Sequence, residues 1–183
     1  MTLFEEARLA ALGCLAVLRG DKNAPAWFDL TLRGLMGSLI ALVVIFGVSI
    51  LMPVPGAEGD PTLSPLAQLL FIGAVAAIWV AVLYFFLRSV GRSNRLIPFL
   101  TINNWGSFYA SVITLALSLV GFGGILALSL AWAASVYFLF RAALIVLEIR
   151  PLLVVALFAA QIVAGLFALM LLGFVLPAPA PVQ

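Results

Sequence analysis

Residues 96–140 form a run of 45 without one Asp, Glu, Lys or Arg, and three more such runs surround it. Residues 34–57 give 24, residues 61–87 give 27, and all 33 residues after Arg150 are uncharged. A helix needs about 20 apolar residues to cross a bilayer core. The run of 45 is too long for one crossing and right for two. Gly121-Phe122-Gly123-Gly124 is its natural break, because clustered glycines supply tight-turn geometry. The expected spans are Leu32–Met52, Leu66–Leu87, Phe99–Val120, Ile125–Leu147 and Leu152–Leu176.

Composition removes the alternatives. Hydrophobic residues make up 66% of the 183 and charged residues 9%. Soluble domains average about 45–50% and about 25%. A water-soluble globule of this size cannot hide that much apolar surface, and a disordered chain would not carry it. The expected fold is all-α: a polytopic membrane helical bundle of five transmembrane helices plus an N-terminal amphipathic interfacial helix. Its parts are residues 1–31 (cytoplasmic helix and connector), 32–176 (transmembrane domain) and 177–183 (Pro-rich extracytoplasmic tail).

Helix punctuation agrees with these spans. Asp29 or Thr31 can cap the first, and Ser64-Pro65 caps the second with a proline that needs no amide partner. Pro98 and Pro151 are expected to open the third and fifth, Pro53 and Pro55 to close the first, and Pro177 the last. Orientation follows from where the cations fall. Arg8, Arg19, Lys22 and Arg33 lie at or before the first span, Arg88, Arg92 and Arg95 between the second and third, and Arg150 between the fourth and fifth. An odd number of spans puts all of these on one side. Residues 53–65, 121–124 and 177–183 carry no Lys or Arg, and Glu58 and Asp60 stand there instead. The N-terminus is therefore expected in the cytoplasm and the C-terminus outside, in a bacterial inner membrane. Glu5 and Glu6 occupy the place where a signal peptide carries positive charge, so the N-terminal segment is expected to be retained.

Residues Leu3–Leu18 show an amphipathic period. Leu3, Phe4, Ala7, Ala11, Cys14, Leu15 and Leu18 form one stripe, with Glu5, Glu6, Arg8 and Arg19 away from its centre. This helix is expected either to lie on the inner membrane surface or to dock a partner, since Leu9 and Leu12 add a second apolar patch. Trp27 and Phe28 are expected headgroup-level anchors.

Chemistry is sparse. The absence of His removes the usual proton shuttle and the commonest metal ligand. Cys14, the only cysteine, cannot close an intramolecular disulfide and is expected to be an apolar filler. No metal or cofactor is expected. A net charge of +2 gives no nucleic-acid surface. Arg141 is the most informative charge, six residues before the end of the fourth span and roughly 9 Å from its inner edge. It can snorkel to the interface, or turn inward to an anionic lipid or a partner carboxylate. Asn103 and Asn104 are its expected neighbours, and Glu148 completes this candidate polar or lipid site. Ser107, Ser111, Thr114 and Ser118 form a weakly polar face on the third span, either a packing seam or the wall of a narrow pore. Gly34/Ser38, Gly37/Ala41, Gly73/Ala77/Ala81 and Ala156/Ala160/Ala164/Ala168 read as further packing seams. Gln161 is expected to make an interhelical hydrogen bond, and Trp79 and Trp132 to sit in the bundle core or on a protein-facing surface.

Two segments carry a family resemblance. Pro98-Phe99, followed by Asn103-Asn104-Trp105, opens the third span, and Tyr137-Phe138, followed by Arg141-Ala142-Ala143-Leu144, ends the fourth. With a cytoplasmic N-terminal segment and close-set spans over roughly Trp27–Leu176, the chain resembles bacterial members of the Ypt-interacting-protein (YIP-type) domain family. That resemblance implies a helical membrane domain without catalytic residues. Eukaryotic relatives bind small GTPases and other membrane proteins in vesicle traffic; only the topology and the interaction role are carried over here. The expected function is a non-enzymatic interaction, scaffold or accessory subunit. Its expected partners are membrane lipids and another membrane protein or a second copy. The alternative is a passive small-solute channel or transporter, or a lipid-handling protein.

Overall fold

The computed structural model describes residues 2–51, 65–120 and 125–175. The expected Gly121–Gly124 turn, the connector carrying Pro53, Pro55, Glu58, Asp60 and Ser64, and the tail 177–183 lie outside these residues. The regular elements among the described residues are all helices: α1 Leu3–Arg19, α2 Leu32–Leu51, α3 Pro65–Ser89, α4 Leu96–Leu119, α5 Ile125–Ala142 and α6 Pro151–Val175. Short 3₁₀ turns at Ala24–Trp27 and Ser93–Arg95 precede α2 and α4. The five expected spans coincide with α2 to α6, starting within three residues of each. Pro65 and Pro151 open their helices, whereas Pro98 lies inside the first turn of α4, where its missing amide costs no helical bond. The fourth helix departs from expectation at its end. It is α-helical to Ala142 and then widens to a π-turn over Ala143–Leu147. Glu148, left-handed at φ +52, stops it.

Two stretches, Ser129–Leu147 and Pro151–Ala168, are long and apolar enough to cross a membrane. Leu32–Val48 and Gly73–Ser89 are shorter apolar stretches. The chain divides into two compact units, 1–57 with 94–150, and 58–93 with 151–183. The second unit pairs α3 with α6. Its buried positions are Leu83 and Leu87 of α3 and Val154, Leu157, Gln161 and Ala168 of α6. The expected Gly73/Ala77/Ala81 seam is exposed, because the large leucines occupy the opposite side of α3. Of the alanine stripe on α6, Ala168 is buried and Ala156 is exposed.

In the first unit α4 packs on α2, α5 and α1. A β-carbon on Gly106 would run into the Phe138 ring of α5, so the glycine lets the two helices meet. Chain entry to α2 is fixed by Asp29, whose carboxylate accepts from the Thr31 amide at 3.0 Å and its hydroxyl at 2.6 Å. These bonds hold the Asp29 carboxyl below the usual carboxylate range. Thr31 in turn gives its carbonyl to the Leu35 amide, the first bond of the helix.

α1 is bounded by local signals at both ends. Thr2 and Glu5 form a capping box, with Glu5 accepting from the Thr2 amide at 2.8 Å. Gly20, at φ +78, ends the helix, with Gly20 bonded back to Val17 and Asp21 to Ala16. The buried face differs from the expected stripe. It consists of Glu6, Ala10, Gly13, Cys14 and Val17, while Leu3, Phe4, Leu12 and Leu15 are exposed. The reason is steric. Small residues allow close approach, and Gly13 receives the Phe28 ring and the Trp27 β-carbon, where any side chain would collide. The bulky residues of α1 consequently point outward beside Arg8 and Arg19. Phe28 is buried by this contact, and Trp27 stays exposed.

Candidate functional site: a groove between α1, α4 and α5

Three helices of the first unit line an open groove of about 340 Å³. α1 supplies Cys14 and Leu18; α4 supplies Asn103, Gly106, Ser107 and Ile113; α5 supplies Trp132, Phe138 and Leu139. Along α4 the lining runs from Asn103 to Ile113, about 15 Å at the helical rise. Trp132 stands at one end, 72% exposed, as a wall of the groove; of the two expected positions, bundle core and protein-facing surface, the core is excluded. The buried tryptophan is Trp105, at 1%. It joins Phe108 and Tyr109 in an aromatic cluster with ring centroids 5.0–6.2 Å apart.

α1 closes the groove by hydrogen bonds as well as packing. The Tyr109 hydroxyl donates to the Ala7 carbonyl, and the Tyr137 hydroxyl reaches the Leu18 carbonyl at 3.5 Å. Burial of Cys14 pushes its thiol up to about 12, so it is neutral at physiological pH and acts as apolar lining.

Each end of α1 is marked by a charge. Near its start, Glu6 is only 8% exposed. A β-carbon on Gly37 of α2 would lie 2.8 Å from either carboxylate oxygen, so the glycine makes room for the carboxyl group. Burial pushes the Glu6 carboxyl above the ordinary carboxylate range, and the Asp29 charge adds to this. The charges of Arg33 and the N-terminus pull the other way. Glu6 Oε1 and Trp105 Nε1 are both buried without a hydrogen bond. Beside them, Asn104 Nδ2 donates to Ser38 Oγ at 3.1 Å, and Ser38 donates to Leu35 O at 2.8 Å.

At the other end, the Arg141 guanidinium lies against Gly20, close enough that a β-carbon there would overlap Nη2. Arg141 Nε is buried without a partner.

The structure therefore distributes the expected polar site. Asn103 lines the groove, Asn104 bonds Ser38, and Glu148 pairs with Arg95 at 2.8 Å. Of the hydroxyl face, only Ser107 lines the groove. Thr114 and Ser118 donate to Ala110 O and Thr114 O within their own helix, at 2.8 and 3.0 Å, and Ser111 lies outside the groove lining. Gln161 is buried, but its Nε2 has no hydrogen-bond partner, so the expected interhelical bond is not formed by that donor. Sequence reasoning missed Glu6 and Gly20 as site residues. The capping box and the glycine after Arg19 were legible signals for where α1 starts and stops.

Among the described residues no group of three His, Cys, Asp or Glu could hold a metal ion. No family model, curated protein or solved structure matches the chain. Fold and site together define a helical chain with two membrane-length apolar helices and a largely apolar groove closed by an N-terminal helix.

Proposed function

We propose that this chain is a non-enzymatic integral membrane protein acting as an interaction or scaffold subunit in a bacterial inner membrane. In this reading α2 to α6 cross the bilayer, the N-terminus is cytoplasmic, the C-terminus is outside, and α1 lies at the inner face. Membership of the Ypt-interacting-protein domain family is part of the same proposal.

The observation that carries it is the outer surface of the helices. Val43 of α2, Trp132 of α5, and Leu152, Ile162, Val163, Leu166 and Phe167 of α6 are all exposed. Exposed apolar side chains in this number are unfavourable in water within each unit, which supports a covering of lipid or of another membrane protein. The cations support the orientation, since Arg33, Arg88, Arg95 and Arg150 all lie at the helix ends assigned to the inside. The test uses reporter tags on Met1 and Gln183, with native mass measurement after mild extraction. Tags in opposite compartments and a complex with lipid or protein are expected. Tags in the same compartment, or a bare monomer, refute the reading.

The lipid-handling alternative is favoured by one observation, the groove. The pore alternative is not, because Thr114 and Ser118 spend their hydroxyl protons on their own helix.

A further inference from the structure

Arg141 presents an unsolved electrostatic problem. It sits within a stretch apolar enough to cross a membrane, Ser129–Leu147, and its Nε is buried. No hydrogen bond or ion pair joins its guanidinium to another described residue. No described carboxylate pairs with Arg141. Glu5 accepts from the Thr2 amide, Asp21 from the Asn23 amide, and Asp29 from Thr31. Glu6 lies against Gly37, and Glu148 pairs with Arg95. A cation so placed calls for an anion from outside the chain.

Its position says which kind. Arg141 follows the groove residue Phe138 by one helical turn, and Gly20, which it touches, follows the groove residue Leu18 by two positions. The cation therefore stands at the end of the groove where α1 meets α5. From there the lining runs to Ile113 and Trp132, away from the cationic helix ends. A dry apolar cavity of about 150 Å³ binds benzene, so one of about 340 Å³ accepts on the order of a dozen chain carbons. An anion at one end with a flexible apolar chain about 15 Å long behind it is the chemistry of a phospholipid.

We propose that the α1–α4–α5 groove holds one acyl chain of an anionic inner-leaflet phospholipid, with its phosphate against Arg141. This rests on the membrane reading above and names the lipid class that the same site takes. Asn103, at the Arg141 end of the lining, is the polar side chain placed to meet the ester region, and Trp132 flanks the chain's far end.

The full-length protein is reconstituted in phosphatidylcholine vesicles containing phosphatidylglycerol brominated on an acyl chain. Emission from Trp132 is read as the difference between wild type and Trp132→Phe. Half-quenching is expected at a mole fraction about tenfold below that needed with brominated phosphatidylcholine, the scale of one charge-assisted hydrogen bond. Arg141→Gln should abolish this preference and Arg141→Lys retain part of it. Ala110→Leu, which narrows the groove without touching the cation, should lower quenching by both lipids while helicity is unchanged. Equal quenching by the two lipids in wild type overturns the proposal, as does a preference that survives Arg141→Gln in folded protein. Displacement by millimolar inorganic phosphate would mark an ion site in place of a lipid site and overturn it too. A chain that spans the vesicle membrane as expected yet shows no preference defeats this inference and leaves the membrane reading intact. A chain that does not enter vesicles defeats both.

Discussion

Gly106→Ala sets two known effects against each other at one atom. Replacing a helix-interior glycine by alanine ordinarily gains about 0.8–1.0 kcal/mol of helix propensity. At Gly106 the new β-carbon would lie 2.6 Å from both Cδ1 and Cζ of Phe138, and closer still to Cε1. Carbon atoms rest at about 3.5–4.0 Å, so with Cε1 nearest of all the ring must retreat by roughly 1.5 Å. Phe138 is buried and also lines the groove, which limits where it can go. Overpacking of this kind costs about 1–3 kcal/mol, and we expect it to win, with a net loss of about 1 kcal/mol. For a chain of this length that lowers the melting temperature in detergent by about 2–4 °C. Two comparisons isolate the cause. In α6, a β-carbon on Gly165 meets nothing within 4 Å, so Gly165→Ala should be neutral or stabilising by up to about 1 kcal/mol. Phe138→Ala alone should cost about 3–5 kcal/mol, and adding Gly106→Ala to it should cost nothing further. If Gly106→Ala destabilises equally with and without the Phe138 ring, the collision is not the reason and the α4–α5 packing argument fails.

Three further outcomes are expected. Because Glu6 binds its proton more tightly when buried, docking of α1 gains most below the ordinary carboxylate pKa and loses that gain as pH rises through the raised value. Maleimide labelling of buried Cys14, corrected for thiolate fraction, should therefore accelerate with pH, and Glu6→Gln should flatten the profile; an unchanged profile in that variant counts against the assignment. Gly20→Ala should destabilise by at least about 1 kcal/mol, because the residue combines φ +78 with the Arg141 contact, and a thermal melt matching wild type would contradict this. Arg95→Ala should cost only about 0.2–1 kcal/mol, since the Arg95–Glu148 pair is partly exposed, and a loss above about 2 kcal/mol would mean the pair does more than tie two helix ends together.

What the sequence made legible depended on signal length. Uncharged runs and flanking prolines located α2 to α6 to within a few residues, because each is a long, repeated signal. The faces were less legible. On α1 the expected stripe mixed Leu3, Phe4, Leu15 and Leu18 with Ala7, Ala11 and Cys14; the packed face shares Cys14 with it and otherwise consists of Glu6, Ala10, Gly13 and Val17. Hydrophobic periodicity weighs leucine heavily and glycine hardly at all, so it points away from a close-packed side. For Trp132 the sequence left core and surface open, since an aromatic in mid-helix suits either, and only its exposure decides for the surface. The polar site failed for a different reason. Asn103 and Asn104 are adjacent, and adjacent residues of a helix point about 100° apart. One therefore faces the groove and its neighbour faces Ser38 of α2. No sequence spacing reveals that division before the partner helices are placed.

The position of α1 explains why the groove exists. Without it, α4 and α5 would present an open cleft, and Cys14 and Leu18 supply the third wall. The buried face of α1 combines the small residues Ala10, Gly13 and Cys14 with Val17 and the carboxyl of Glu6. The Tyr109 hydrogen bond to the Ala7 carbonyl adds to this packing, while Glu6 and Arg141 fill the space left at Gly37 and Gly20. Glu6 and Arg141 are both incompletely partnered, which makes them costly as pure stabilisers. Their cost is lowest when a proton sits on the first and an anion on the second. Docking of α1 and occupancy of the groove should thus be linked: whatever neutralises Arg141 tightens the helix, and whatever ionises Glu6 loosens it. Protection of Cys14 from maleimide, measured with and without phosphatidylglycerol at fixed pH, reads that linkage directly. Protection that does not respond to the lipid in wild type would separate the helix from the groove.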